Sequence, residues 1–150
     1  MTRTANGKKS ILIVDDEPDI CAILKQSLDG NEFYISTFTS PVLALEHFKM
    51  EPERYIALIS DVRMPEMSGL ELARSVKSLN PHVKVAIMTA FEINKSEFEK
   101  VLPSSSIDAF FTKPVSLGTM KETLHKLLEG DIKETRTSMG NRTPSFNLRL

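Results

Sequence analysis

Five short apolar runs alternate along this chain with segments whose apolar residues recur at helical spacing. Three of the runs, 10–14 (SILIV), 55–60 (YIALIS) and 83–89 (VKVAIMT), have no polar face. Such strands are buried on both sides. The run at 32–38 alternates and suits a strand nearer a sheet edge, and 109–112 (AFFT) is a brief fifth strand. Strands of this kind separated by helices imply a parallel sheet covered on both faces and joined by right-handed crossovers.

The helical segments carry their own punctuation. Asp16 and Pro18 open the first as cap and first-turn proline, Ile20, Ile23, Leu24 and Leu28 form its stripe, and Gly30 closes it. Ser40 and Pro41 open the second, with a stripe of Val42, Leu43, Leu45 and Phe48 running to about Met50. Ser68 caps the third, Glu71 stands at the capping-box position, and Leu70, Leu72, Ala73, Val76 and Leu79 face inward as far as Asn80-Pro81. A shorter helix is expected over 94–102, with Phe98, Val101 and Leu102 on one side and Pro103 as its stop. Ser116 caps the last, whose stripe is Leu117, Met120, Leu124, Leu127 and Leu128 and whose end is Gly130.

These boundaries give one domain over 10–129, with a flexible polar arm at 1–9 and a flexible tail at 130–150. The tail has four basic and two acidic residues and no helix-turn-helix pattern, so no output domain is expected in it. A chain of 150 residues is long enough for one proper core. The formal charge of −1 gives no support to a nucleic-acid or membrane-surface role. Cys21 is the only cysteine, which excludes an internal disulfide. No secretory leader or apolar run of about 18 residues is present, and a cytoplasmic protein is the expectation.

Ligands of such sheets lie outside the carboxyl ends of the strands, at a topological switch point. There the first strand delivers Asp15 and Asp16, the third Asp61, the fourth Thr89 and the fifth Lys113. Three crowded carboxylates raise one another's pKa unless a cation sits among them. Oxygen ligands of this type suit Mg²⁺, which accepts phosphate oxygens as further ligands, while Lys113 and Thr89 are matched to a phosphoryl group. Each residue alone has a plainer reading: Asp15-Asp16 as a capping pair, Asp61 as a loop carboxylate, Lys113 as a solvated lysine, Thr89 as a strand terminator. Their joint placement at four strand ends favours a site.

The segments ILIVDDEPDI at 11–20, LISDVRMPEMSGLEL at 58–72, VAIMTA at 85–90 and FFTKP at 110–114 closely resemble the receiver domain of two-component response regulators. The likeness spans roughly 9–129. It implies a flavodoxin-like, doubly wound, five-stranded parallel sheet in order 2-1-3-4-5, with five helices in three α/β/α layers. It implies that Asp61 is the phosphoacceptor, that Asp16 binds the metal directly and Asp15 through water, and that the Arg63 backbone carbonyl completes the protein ligands. Mg²⁺ is the implied metal, with Mn²⁺ as an alternative. Thr89, the Ala90 backbone N–H and Lys113 would bind the phosphoryl group, Thr89 and Phe110 would form the switch, and Pro114 would follow a cis peptide.

The implied partners are a sensor histidine kinase or phosphotransfer protein and a downstream protein that reads a face around 94–128, with a phosphorylation-dependent homodimer as an alternative assembly. No nucleic acid or membrane is expected, and no enzymatic action on an external substrate beyond slow hydrolysis of its own phosphoryl group. Three departures stand out. Residues 104–108 read SSSID where the family commonly has a Gly-Ala pair; Phe110 lacks the hydroxyl of a tyrosine; and the bulky Phe91, like Arg63, flanks the site, where its size would shield an acyl phosphate from water.

Rival readings are a constitutive interaction module, a phosphorelay intermediate or phosphate sink, and a piece of a longer protein carrying its output domain elsewhere. The complete five-residue site argues against the first. A P-loop is absent, Asp61-Val62-Arg63 lacks the second aspartate of a haloacid-dehalogenase phosphatase, and His47, His82 and His125 are scattered. Phe98, Phe111 and Cys21 are read as structural.

Overall fold

A strand with no polar face needs cover on two sides, and β1 (Lys9–Val14) obtains it from two separate cores. The computed structural model describes residues 7–30, 32–90 and 106–137. In it Ile11 and Ile13 point into one core and Leu12 and Val14 into the other, all fully buried. β3 (Tyr55–Asp61) and β4 (Lys84–Thr89) split in the same way. Ala57, Ile59, Ala86 and Met88 join the first core, and Leu58, Val85 and Ile87 the second. A one-residue slip of any central strand would exchange its side chains between the two cores, at a cost in packing and not in exposure.

β2 (Phe33–Phe38) and β5 (Ala109–Thr112) form the edges of a five-stranded parallel sheet in the order β2-β1-β3-β4-β5. The register between β1 and β3 shifts once, between Ser10 and Ile11. α1 (Pro18–Leu28) and α4 (Leu117–Thr137) cover the first core through Leu24, Leu28, Met120 and Leu124. α2 (Pro41–Met50) and α3 (Gly69–Leu79) cover the second through Ala44, Phe48, Leu72 and Val76. The result is the three-layer, flavodoxin-like arrangement expected, with four helices among the described residues. The helix expected over 94–102 lies outside them, as do Phe91 and Phe98.

Helix ends and faces follow the sequence signals with a few corrections. The N-cap position of α1 falls to Glu17, without a side-chain capping bond, and not to Asp16, because Pro18 occupies the first helical position and holds the residue before it extended. On α2 the buried face is Pro41, Ala44, Leu45 and Phe48, leaving Val42 and Leu43 exposed. The small Ala44 lies on the core side of the turn, and the larger Leu43, one residue earlier, is rotated away. α4 does not stop at Gly130 but runs to Thr137, since one glycine costs a helix only about 1 kcal/mol relative to alanine. Two stripe residues are exposed as well, Ile23 on α1 and Leu79 on α3, while the serine caps hold. Ser40 Oγ accepts the Leu43 N–H at 3.1 Å, Ser68 and Glu71 make a reciprocal capping box, and Ser116 Oγ accepts the Thr119 N–H at 3.2 Å.

From β1 the chain runs outward to β2 and then returns to the other side of β1 as β3. The crevice between the carboxyl ends of β1 and β3 is therefore the switch point.

Candidate functional site

Two strand ends place the acids. Asp15 follows the last residue of β1 and is fully buried, its N–H bonded to the Phe38 carbonyl at 3.1 Å. Its Oδ1 accepts the Glu17 N–H at 2.9 Å, which ties the carboxylate to the turn that starts α1. Asp61 closes β3, 8% exposed, and its Oδ1 accepts the Val62 N–H at 2.9 Å. The exposed Asp16 completes the group: one carboxylate oxygen from each of Asp15, Asp16 and Asp61 lies within 4.8 Å of the others.

Lys113 answers them from the far side of the sheet. Its N–H bonds to the Thr89 carbonyl at 2.7 Å, so β4 fixes where the residue after β5 sits. Its ammonium lies 2.9 Å from Asp15 Oδ2, 3.4 Å from Asp61 Oδ2 and 4.0 Å from Glu17 Oε1. The peptide bond between Lys113 and Pro114 is cis, as expected.

One ammonium thus faces three carboxylates, with Asp16 beside two of them. Burial pushes the Asp61 carboxyl above its usual range, and the Asp15 charge pushes it further, with Lys113 and the Val62 N–H pulling partly back. Burial alone would lower the Lys113 ammonium, but its contacts with Asp15 and Asp61 outweigh that and raise it. Asp15 Oδ2 is buried and, although 2.9 Å from Lys113 Nζ, has no partner in well-aligned hydrogen-bond geometry. A surplus of negative charge and an incompletely satisfied, inward carboxylate oxygen fit a hard divalent cation such as Mg²⁺.

The loop after β3 holds the site from behind. A Cβ on Gly69 would overlap the Asp61 carbonyl oxygen, and the Gly69 N–H donates to the Val62 carbonyl at 2.9 Å. The turn is tight enough to put Glu66 at φ 74°, a left-handed conformation uncommon for a residue other than glycine, asparagine or aspartate. Arg63 lies in this loop with its side chain exposed. Thr89 is buried at the end of β4, Ala90 follows it exposed, and Phe110 on β5 is half-buried against the second core.

All the strand-end residues singled out in the sequence therefore converge on one rim. Two further neighbours do not emerge from sequence. Glu17 faces Lys113, and only its position directly after the two aspartates hints at this. Cys21 donates from Sγ toward the Asp15 carbonyl at 3.3 Å and the Phe38 carbonyl at 3.6 Å, which pins α1 to the ends of β1 and β2. No local pattern announces that.

The family model for the response regulator receiver domain matches residues 11–125. The transcriptional regulatory protein ZraR of Salmonella typhimurium is 34% identical over 122 residues, which are 81% of this chain and 27% of that protein. The chain thus spans about a quarter of the length of that relative. The response regulator receiver protein CpdR of Brucella abortus is 28% identical over 80% of this chain and 97% of its own. Among solved structures, the response regulator protein TrrA of Thermotoga maritima, in complex with Mg(2+)-BeF, superposes with a TM-score of 0.67 at 33% identity, covering 79% of this chain and 98% of that one. The chain belongs to the response regulator receiver domains of two-component systems.

Proposed function

We propose that Asp61 takes a phosphoryl group from a phosphohistidine on a sensor histidine kinase or phosphotransfer protein, and that the resulting acyl phosphate switches a protein-interaction face. The observation that carries this is the placement of the Asp61 carboxylate 3.4 Å from Lys113 Nζ, with Asp15 and Asp16 beside it. TrrA, a relative with the same fold, is described with Mg(2+)-BeF bound, which supports the same chemistry here.

In the transfer an Asp61 carboxylate oxygen attacks phosphorus in line with the departing imidazole. The new P–O bond forms as the P–N bond breaks, and the imidazole leaves with the electron pair and takes up a proton. There is little covalent work for the protein to do; positioning and charge carry the step. Asp15, Asp16, Asp61 and the Arg63 carbonyl would hold the metal. When bound, Mg²⁺, or Mn²⁺ in its place, would supply the positive charge that lets an anionic nucleophile approach an anionic donor.

Lys113, already poised between Asp15 and Asp61, would pair with a phosphoryl oxygen, and the Thr89 hydroxyl and Ala90 N–H would bind the others. The movement of Thr89 then opens space into which Phe110 turns, held there by apolar packing alone because it has no hydroxyl. This is a two-state element biased by one local change of charge. The face around 94–128 would carry the signal to a downstream protein or into a phosphorylation-dependent homodimer, in the cytoplasm, without nucleic acid or membrane as partner. None of the helices among the described residues is long and apolar enough to cross a membrane. The domain acts as a switch and not as an enzyme on an external substrate.

Incubation with acetyl phosphate and Mg²⁺, resolved on a phosphate-affinity gel, tests the assignment. One retarded band is expected for the wild type and none for Asp61→Asn. A band that survives the substitution, or no band at all, contradicts it.

A further inference from the structure

The outer edge of β2 is partly capped although no strand among the described residues lies beside it. Lys9 N–H donates to the Glu32 carbonyl at 3.1 Å and Asp15 N–H to the Phe38 carbonyl at 3.1 Å. Peptide groups alternate in direction along a strand, so Phe33, Ile35 and Thr37 turn theirs away from β1. On that side Gly30 N–H donates to the Phe33 carbonyl at 3.0 Å. Asp29 Oδ1 accepts the Ile35 N–H at 3.0 Å, and Lys25 Nζ donates to the Ile35 carbonyl at 2.7 Å. The two side chains lie 3.7 Å apart as an ion pair one helical turn from each other. Together they offer Ile35 one acceptor and one donor, which is what a residue of a neighbouring strand would offer.

The edge they close is one that would otherwise pair readily. Phe33–Phe38 reads FYISTF, six residues of high β propensity with no charge, no proline and no glycine. An exposed segment of that composition is a template for pairing with its own copy. Cations also stand over its exposed aromatic ring: Lys25 Nζ is 5.9 Å and the Arg54 guanidinium 5.8 Å from the Tyr34 centroid. As an exposed ion pair Lys25–Asp29 adds little stability, so its hydrogen bonds to the edge are the better account of its geometry.

We propose that Lys25 and Asp29 form a clasp that closes the β2 edge against pairing with β2 of a second copy of this chain. Opened, two copies meet about a two-fold axis at Ile35. That residue exchanges both of its freed hydrogen bonds with its counterpart, giving an antiparallel junction and a closed dimer. An uncharged segment that is its own complement favours a second copy over a charged or helical partner. The inference does not depend on phosphoryl transfer.

The test compares the wild type with Lys25→Met/Asp29→Ala by light scattering across a concentration series and by amide exchange at Ile35. The wild type should stay monomeric with a slowly exchanging Ile35 amide. In the double variant at low concentration that amide should exchange about tenfold faster or more, and a dimer should appear as concentration rises. Adding Tyr34→Lys, a charge on the edge itself, should return the double variant to monomer. A double variant that loses Ile35 protection yet remains monomeric overturns the proposal. So does a dimer that persists with Tyr34→Lys, or open-ended aggregation in place of a dimer. Should the double variant fail to fold by far-ultraviolet circular dichroism, Lys25→Leu/Asp29→Leu, which keeps more bulk over the edge while freeing both Ile35 groups, takes its place with the same expected outcomes. Unfolding of that variant as well would make the pair a stability element and also overturns the proposal.

Discussion

A Cβ on Gly69 meets the backbone of Asp61 instead of a side chain that can swing aside, with Ser60 Oγ 3.1 Å away. Gly69→Ala should therefore displace the end of β3, at the about 1–3 kcal/mol typical of overpacking, measurable by urea unfolding. It should also slow phosphorylation by acetyl phosphate, because the residue displaced carries the carboxylate proposed to react. Asp61 also sets a pH dependence. Its carboxyl is raised by burial and by Asp15, so the folded state holds that proton more tightly than the unfolded chain does. This group opposes folding while it is ionised, and the penalty fades as pH falls through its folded value toward the ordinary 3.8. Asp61→Asn should accordingly raise the urea midpoint at neutral pH without metal, and Lys113→Met should push the carboxyl higher still, as read by carbon-detected NMR titration. The aspartates were legible because each stands directly after an apolar run. The division of Lys113 between Asp15 and Asp61, and the neighbourhood of Glu17, were not. They arise from strands far apart in sequence, and nothing local encodes them.

The serine caps, the Ser68–Glu71 capping box and the proline starts were equally legible, because their chemistry is contained within four residues. Ser68→Ala should cost about 1 kcal/mol in unfolding free energy, through the loss of the Ser68 Oγ bond to the Glu71 N–H at 3.1 Å. Less legible was which side of α2 faces the core, since Leu43 and Ala44 differ by one residue and size misleads where rotation decides. The underside of α2 also holds His47, whose Nε2 lies 2.7 Å from the buried Tyr55 hydroxyl, with the Phe38 ring centroid 4.9 Å from its own. Burial, with Arg54 nearby, lowers the His47 imidazole below its ordinary 6.5. The unfolded chain takes up that proton first, so this contribution to stability is complete above 6.5 and is lost as pH falls through the folded value. Urea midpoints should fall between about pH 7 and about pH 5 by less in His47→Gln than in the wild type. Tyr55→Phe should cost about 1–3 kcal/mol, since it leaves a half-buried ring nitrogen without its partner.

At the scale of the molecule, two cores on opposite faces of one sheet hold the rim where Asp15, Asp16, Asp61 and Lys113 meet. That architecture follows from strands with no polar face, and so the fold was legible almost whole; the length of α4 was not, because a tolerated Gly130 looks like a stop. We propose that residues 10–129 are the folding unit, and a chain ending at Glu129 should keep the urea midpoint of the full chain to within about 0.5 kcal/mol of unfolding free energy. The central claim, that the rim exists to charge one carboxylate, is open to direct chemical mapping. Borohydride reduces an acyl phosphate of aspartate to homoserine and leaves free carboxylates alone. After treatment with acetyl phosphate and Mg²⁺, peptide mass spectrometry should find homoserine at position 61 and aspartate retained at positions 15 and 16. Homoserine at either of those positions, or none anywhere in the chain, would contradict the assignment of Asp61 as the residue that is written.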